Sequence, residues 1–246
     1  MTSHLVYRLS AALGSMGTLA GNERRGSDDW PARSAITGML GAALGVQRSD
    51  RTALGALEKD YAVALTRLRL GPPLIDYHTV QTVPTSTVKR PSSRPYALAM
   101  GRAKGKNGIS TVITHREYHQ RCVFDVTVRS IVETPPWSLG ELSAALERPH
   151  YVLYFGRKAC PLDLPLAPRL VEADDAVGAL DTYRRSYAPE PMKRSGEFLV
   201  DRRIVGDDAC ATGRAVIRRD GVVDRERWTF TDRESILLNQ HEEAEP

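Results

Sequence analysis

The chain has 246 residues, and its 41% hydrophobic content excludes wholesale disorder. Its 34 Lys and Arg against 30 Asp and Glu give a formal net charge of +4, which is too small to identify a polyanionic partner. No apolar run reaches about 18 residues, so no membrane-spanning helix is predicted. The three cysteines are widely spaced and fit a reducing compartment. We therefore expect a cytoplasmic protein without a membrane partner.

The first part of the chain has the pattern of a β-α-β unit. Residues 4–9 and 61–70 alternate as strands do, and residues 34–45 place apolar side chains on one face of a helix. Asp50 precedes a stretch over 51–59 that predicts a second, capped helix.

A second β-α-β unit follows a long excursion. Residues 121–130 and 151–155 are rich in Val, Leu and aromatic side chains and predict buried strands. Ser138 and Glu141 have the spacing of a capping box, so a helix is predicted between these strands.

Together the two units have the split β-α-β order of a ferredoxin-like, RRM-like fold of the α+β class. Residues 1–84 and 119–160 would form this core. Both crossover helices would cover one face of the sheet and leave the opposite face free for a ligand or another domain.

The remainder, residues 161–246, is predicted to form a smaller β-rich C-terminal part. Its strand-like stretches lie near 197–205, 213–219 and 226–230. The dipeptide Asp220-Gly221 is a turn signal within this region.

The excursion over residues 85–118 predicts a basic thumb inserted into the core. Residues 85–121 contain eight basic residues and one acidic residue, so their net charge of +7 exceeds that of the whole chain. Frequent Pro and Gly predict an extended or flexible segment instead of a packed element. A solvated surface loop and an arm along a phosphate backbone both fit this composition.

One polar motif lies where the thumb returns to the core. On a strand, alternation would place His115, Glu117 and His119 on one face, where they could ligate a metal. A polar strand face without metal is the favoured interpretation, because a metal site needs a closed or supported ligand set. Neither a metal nor a cofactor is therefore predicted.

Catalysis is weakly indicated. A metal-independent ribonuclease needs a general acid and a general base near the scissile phosphate. Four side chains could supply them: Tyr77, His78, His115 and Lys158. No spacing links these residues into a dyad, so no catalytic residue is assigned.

Five blocks, in this order and spacing, resemble one family. They are YRLSAALGSMG, PARSAITGMLGAALGVQRSD, LIDYHTVQT, THREYHQRCVFDV and YVLYFGRKACPLDLP. Over residues 4 to about 165 the chain resembles the Cas-five subunits of the type I-E CRISPR Cascade complex, which belong to the RAMP superfamily. The DYHT, REY and YFGRKACP segments are the most specific. Met16 departs from the pattern, since the family usually has a Trp there.

The resemblance implies a ferredoxin-like core with a thumb and a structural, non-catalytic role in antiviral defence. Family members hold the repeat-derived 5′ handle of the crRNA and cap the Cascade backbone beside the large subunit. The implied partners are the crRNA 5′ handle, the Cas-seven backbone subunits, the Cas-eight large subunit and target DNA near the guide start. A related subtype processes pre-crRNA with its Cas-five protein, so a metal-independent endoribonuclease is the alternative.

The resemblance also implies a set of RNA-binding residues. They are Arg33 and Ser34 at the first helix, Tyr77 and His78 at the thumb base, Arg102, Lys104 and Lys106 inside the thumb, Arg116 and Tyr118 on its return, and Gly156, Arg157 and Lys158 after the last core strand. Main-chain N–H groups at the helix start and at the glycine turn would approach phosphates, and the cations would pair with them.

Overall fold

The computed structural model describes residues 1–18, 23–105, 108–186, 203–207, 213–224, 227 and 229–239. Within these ranges the helices are α1 (Arg33–Leu44), α2 (Arg51–Lys59), α3 (Arg94–Ala103), α4 (Leu139–Glu147) and α5 (Ala176–Ser186). The strands are β1 (Thr2–Gly14), β2 (Arg24–Arg25), β3 (Tyr61–Arg69), β4 (Pro73–Thr82), β5 (Ser110–Ser130), β6 (Arg169–Ala173), β7 (Arg203–Gly206), β8 (Arg214–Asp224) and β9 (Thr229–Asn239). None of the described helices is long and apolar enough to cross a membrane.

The nine strands of the described ranges join one large sheet, so the fold is mixed α/β. Its main path runs β6-β1-β5-β3-β7-β9-β8, with β2 and β4 paired to β5. Along β6-β1-β5-β3 every pair of neighbours is antiparallel. β1 and β5 therefore lie in the interior of the sheet, which explains why residues 4–11 of β1 are all buried.

Because side chains alternate along β1, its two faces pack into two separate hydrophobic clusters. Leu5, Tyr7 and Leu9 pack with α1, α2 and α4, whereas Val6 packs in a second cluster with α5. Burying apolar surface on both faces stabilises the sheet in proportion to the area removed from water. The expectation of a free opposite face is wrong over the part of β1 that α5 covers.

Local capping signals identified two helices correctly. The Asp50 carboxylate accepts a hydrogen bond from the Ala53 N–H at 2.9 Å, which fixes the start of α2. At α4, the Glu141 carboxylate accepts from the Ser138 N–H at 2.7 Å, and the Glu141 N–H donates to Ser138 Oγ at 3.2 Å. The predicted capping box is thereby confirmed.

The strand predicted over 151–155 is wrong. In this segment Tyr154 forms a single isolated bridge with Pro161, and Val152 is 86% exposed. Leu153 and Phe155 are buried and Tyr154 between them is exposed, and this apolar segment lines a groove. The position beside β1 is taken by β6, residues 169–173.

The turn predicted at Asp220-Gly221 is also wrong. Both residues lie inside β8, where the pairing register with β9 shifts between Arg218 and Gly221. The Asp220 carboxylate is buried and accepts from the Arg33 main-chain N–H at 2.9 Å and from Arg233 Nε at 3.0 Å. These long-range donors explain why the dipeptide does not form a turn. Strands β8 and β9 overlap the predicted stretches at 213–219 and 226–230, and residues 197–202 lie outside the described ranges.

Strands β4 and β5 form a long hairpin that carries α3 at its tip. Ten residue pairs, from Pro73↔His119 to Thr82↔Ser110, give the paired part a length of about 33 Å. Ser93 caps α3 by accepting from the Tyr96 N–H at 3.3 Å. The prediction that the excursion holds no packed element is wrong at this helix. Its Pro lies in the first turn, where the missing N–H does no harm.

His4, which lies at the sheet face covered by α5, makes stability depend on pH. Burial, reinforced by Arg129 and opposed by Asp175 and Glu172, lowers the pKa of His4 below its ordinary 6.5. The unfolded chain therefore binds this proton at higher pH than the folded chain. The stabilisation is complete above about pH 6.5 and is lost as pH falls toward the lowered pKa.

The free energy of unfolding of the wild-type chain should fall between about pH 7.5 and about pH 5.5. We expect a smaller fall in His4→Gln, as measured by urea titration at both pH values. An identical loss in the variant and in the wild-type chain would contradict this account.

Candidate nucleic-acid interface

A groove of about 1580 Å³ runs along α1. The segment 151–161 lines one side, and residues of β8 and β9 also contribute. Within the described residues its lining carries five cationic side chains: Arg25, Arg48, Arg157, Lys158 and Arg219. The one lining carboxylate among those residues, Asp220, is held by Arg33 and Arg233. The groove is therefore suited to a polyanion.

The turn at residues 155–160 contributes to the lining of this groove. The Phe155 N–H donates to the Cys160 carbonyl at 2.8 Å, and the Ser15 N–H donates to the Phe155 carbonyl at 3.1 Å. Gly156 has φ +84°, and a Cβ there would lie 1.7 Å from the Ser15 carbonyl oxygen. Glycine is thus required by a close approach of the chain to itself.

Arg157 joins this turn to the base of the hairpin. Its guanidinium donates to the main-chain carbonyl of Glu117 at 3.0 Å and to that of Arg25 at 3.2 Å, and it lies 4.7 Å from the centre of the Tyr118 ring. Carbonyl acceptors satisfy donors without neutralising the charge. Arg157 therefore keeps its positive charge at a fixed position. Lys158 follows it, is exposed and lines the groove.

The base of the hairpin separates the predicted residues onto two faces. Alternation along β4 and β5 places His78, Arg116 and Tyr118 on one face. Tyr77 lies on the other face, 60% exposed, with its ring 5.3 Å from that of His115 in an edge-to-face contact. The structure thus brings Arg116 and Tyr118 together with Arg157 and separates them from Tyr77.

The remaining predicted residues are dispersed. Ser34 lines the groove at the start of α1. Arg33 is engaged internally, because its guanidinium pairs with Glu58 and donates to Asp207 and to the Tyr61 carbonyl, both at 2.7 Å. Two residues are exposed at the tip of the hairpin, namely Arg102 and Lys104. Lys106 lies outside the described residues.

The polar triad at 115, 117 and 119 shares one face, as predicted. Glu117 pairs with Arg24 at 2.6 Å and accepts from the Ser27 N–H, and its hydrogen bond with Arg24 lowers the pKa of the carboxyl. Both carboxylate oxygens are therefore engaged by residues 24–27, the segment that contains β2. In the part of the chain that the structure describes, no three His, Cys, Asp or Glu side chains are grouped to hold a metal.

Sequence reasoning missed Arg25. Strand β2 runs parallel to β5, and its register pairs Arg25 with Arg116. The only signal was two adjacent arginines in a glycine-containing loop, and nothing local connects that loop to a strand ninety residues later.

The structure is thus a mixed α/β fold with a basic groove beside a long hairpin, and the chain is similar in sequence to known proteins. A family profile described as CRISPR-associated protein (Cas_Cas5) matches residues 4–218. The chain is 30% identical over 217 residues to the CRISPR system Cascade subunit CasD of Escherichia coli. The aligned region covers 87% of this chain and 88% of that protein. The chain therefore belongs to the Cas-five family of CRISPR-associated proteins, and the family predicted from the five sequence blocks is confirmed.

Two solved structures share the fold. A chain of a CRISPR RNA-guided surveillance complex matches with a TM-score of 0.62 at 22% identity, covering 96% of this chain and 89% of that one. A Cas protein crystal structure matches with a TM-score of 0.51 at 20% identity, covering 96% and 93%. The large antiparallel sheet with its helices is thus shared with these proteins.

Proposed function

We propose that this chain is the Cas-five subunit of a type I-E Cascade surveillance complex and holds the repeat-derived 5′ handle of the crRNA. The observation that carries the proposal is the basic groove whose wall, at Arg157, is fixed to the base of the hairpin. The relative CasD is named as a Cascade subunit, and one similar structure is an RNA-guided surveillance complex. The role is structural and serves antiviral defence.

We assign the four strands β6-β1-β5-β3 to a ferredoxin-like, RAMP-type core. The order is supported by α1 and α2 between β1 and β3, and by α4 between β5 and β6. On this assignment the core, predicted to end at residue 160, continues to β6. The thumb, predicted as 85–118, includes the paired strands from Pro73 onward, and the later strands form the β-rich C-terminal part.

In this assignment the groove takes the handle and the hairpin tip follows the RNA beyond it. Lys158 and Arg157 meet backbone phosphates, and Ser34 adds a hydroxyl at the start of α1. The exposed Tyr77 ring offers a surface for base stacking. Arg102 and Lys104, with Lys106, contact the backbone near the guide start, where target DNA pairs.

The proposed protein partners are the Cas-seven backbone subunits and the Cas-eight large subunit, beside which this chain caps one end of the complex. Co-purification of these subunits with the tagged chain tests this part of the proposal.

Catalysis would require two of the candidates Tyr77, His78, His115 and Lys158 to act on one phosphate as acid and base. The hairpin places His78 on the face opposite Tyr77 and His115, so His78 does not share a phosphate with either of them, and we favour the non-catalytic role over a metal-independent endoribonuclease. Incubating the chain with repeat RNA in EDTA tests this choice. A specific cut that disappears in His78→Ala would establish the enzyme instead.

Lys158→Ala tests the groove. Loss of one phosphate contact should weaken binding of the handle RNA and reduce the slope of log K against log salt by about 0.7, the value for single strands. Fluorescence anisotropy at several salt concentrations measures both quantities. Arg157→Ala should show the same change, and Arg185→Ala, on exposed α5 surface, is the matched control. Unchanged affinity and slope in both groove variants would disprove the assignment.

A further inference from the structure

We propose that Arg25, Arg116 and Arg157 form a phosphodiester-binding site where the hairpin meets the groove, here named the arginine cluster. The inference rests on the proposed function and deepens it, because it identifies which chemical group of the RNA is held at this point and by which side chains.

Strand pairing brings the three side chains together. Arg25 on β2 and Arg116 on β5 are register partners on strands about 4.8 Å apart, so their side chains share a face. Tyr118 is two residues beyond Arg116 on that face, and the Arg157 guanidinium stacks on its ring. Arg157 is also bonded to the carbonyls of Glu117 and Arg25. The third guanidinium is thus attached to both strands that carry the other two.

The cluster lacks a counter-charge. Among the described residues no carboxylate forms an ion pair with any of the three arginines. Glu117 points to the opposite face and pairs with Arg24. Asp76 lies opposite Arg116 in register but is not within ion-pair distance. Like charges on one face of the strands repel each other, and an anion bound between them relieves that repulsion.

One donor of the cluster is both buried and unused. Arg116 Nε has no hydrogen-bond partner among the described residues. Buried N–H groups are nearly always paired, and a charged donor without a partner is unfavourable. An acceptor that enters beside Arg116 would satisfy it.

The chemistry selects a phosphate. A guanidinium presents two parallel N–H donors that match two oxygens of a phosphate, whereas an ammonium acts as a point charge. Arg25 and Arg157 also line the groove, so a strand lying there passes the cluster. Three cations within one patch exceed the single charge of a phosphodiester, so they suit a strand that bends and brings successive phosphates close together.

The test compares single backbone linkages. Handle RNAs carrying one neutral methylphosphonate at each linkage in turn are bound to the full-length chain, to Arg116→Gln and to Arg25→Gln. In the wild-type chain one linkage, or two adjacent linkages, should weaken binding about tenfold when neutralised, as expected for a charge-assisted bond. In either variant the same neutralisation should weaken binding less than it does in the wild-type chain, because one of the three arginines that hold this phosphate is already absent.

Two further variants, a folding control and a competition experiment complete the test. Arg185→Gln should retain the wild-type linkage profile. Arg116→Lys should recover only part of the affinity, because lysine restores the positive charge but not the two parallel N–H donors of a guanidinium. Circular dichroism of each variant confirms that the hairpin still folds, and Arg25→Gln changes an exposed side chain that carries less risk to folding. Inorganic phosphate is titrated as a competitor of the RNA, and a sulfate-free salt of equal ionic strength serves as the control.

The outcomes are distinguishable. Unmodified RNA that fails to bind the wild-type chain would overturn the proposed function and this site with it. RNA that binds while both variants keep the wild-type linkage profile would overturn the arginine cluster and leave the function standing. Displacement of RNA by inorganic phosphate from the wild-type chain, but not from Arg116→Gln, would assign the cluster to free phosphate and overturn the phosphodiester assignment.

Discussion

Replacing Gly156 by alanine should lower the free energy of unfolding by about 3 kcal/mol and weaken RNA binding at the same time. A side chain at φ +84° is strained, and its Cβ would lie 1.7 Å from the Ser15 carbonyl oxygen. That oxygen belongs to the main chain and cannot move aside as a flexible side chain would. The turn must shift, and Arg157, the next residue, shifts with it. Urea titration measures the stability and anisotropy measures the binding.

Gly55→Ala is the matched control for this substitution. Gly55 lies inside α2, and a Cβ there meets no atom within 4 Å. Alanine should therefore raise the free energy of unfolding by about 0.5–1 kcal/mol through the lower entropy of the unfolded chain. Equal stability of the two variants would show that the close approach to Ser15 is not rigid.

Removing the charge of Asp125 should destabilise the fold by about 3–5 kcal/mol. Asp125 and Arg8 form a two-pronged pair across β1 and β5, with Nε–Oδ1 at 2.6 Å and Nη2–Oδ2 at 2.7 Å. Their side chains are 0% and 2% exposed. Asp125→Asn leaves the buried guanidinium without its carboxylate, and water cannot reach it to compensate.

A second variant separates the pair from the packing around it. Arg8→Met combined with Asp125→Leu removes both charges and should unfold at a higher urea concentration than Asp125→Asn. The half-buried pair of Arg184 and Asp181 on α5 serves as control, and Asp181→Asn should cost less than about 1 kcal/mol. Similar losses in the fully buried and the half-buried variants would contradict the role assigned to burial.

The sequence predicted elements whose causes are local. Asp50 and the pair Ser138 and Glu141 act within one helical turn, so their patterns could be read directly and were correct. The failures had distant causes. Asp220-Gly221 stays in a strand because Arg33 and Arg233 bind the carboxylate, and no short window of sequence contains those partners.

The candidate site residues also differ in whether the sequence alone could identify them. Gly156, Arg157 and Lys158 occupy a distinctive block, and a family resemblance sufficed to single them out. Arg25, which lines the groove, was missed because its position depends on a strand pairing across ninety residues. Arg33 was included because it opens α1, yet its donors are engaged by Glu58, Asp207 and Tyr61. Whether a cation is available depends on tertiary neighbours that composition does not reveal.

Two strand pairings described above constrain the path of folding. β1 pairs with β6 (Thr2↔Ala173), and β3 pairs with β7 (Ala64↔Gly206). Contacts between residues so far apart in sequence form only after a large loss of loop-closure entropy, and this slows folding. During synthesis on the ribosome, β1 and β3 emerge long before either partner, and each presents an unpaired edge meanwhile. The nascent chain is therefore exposed to edge-to-edge aggregation until most of its length has been translated.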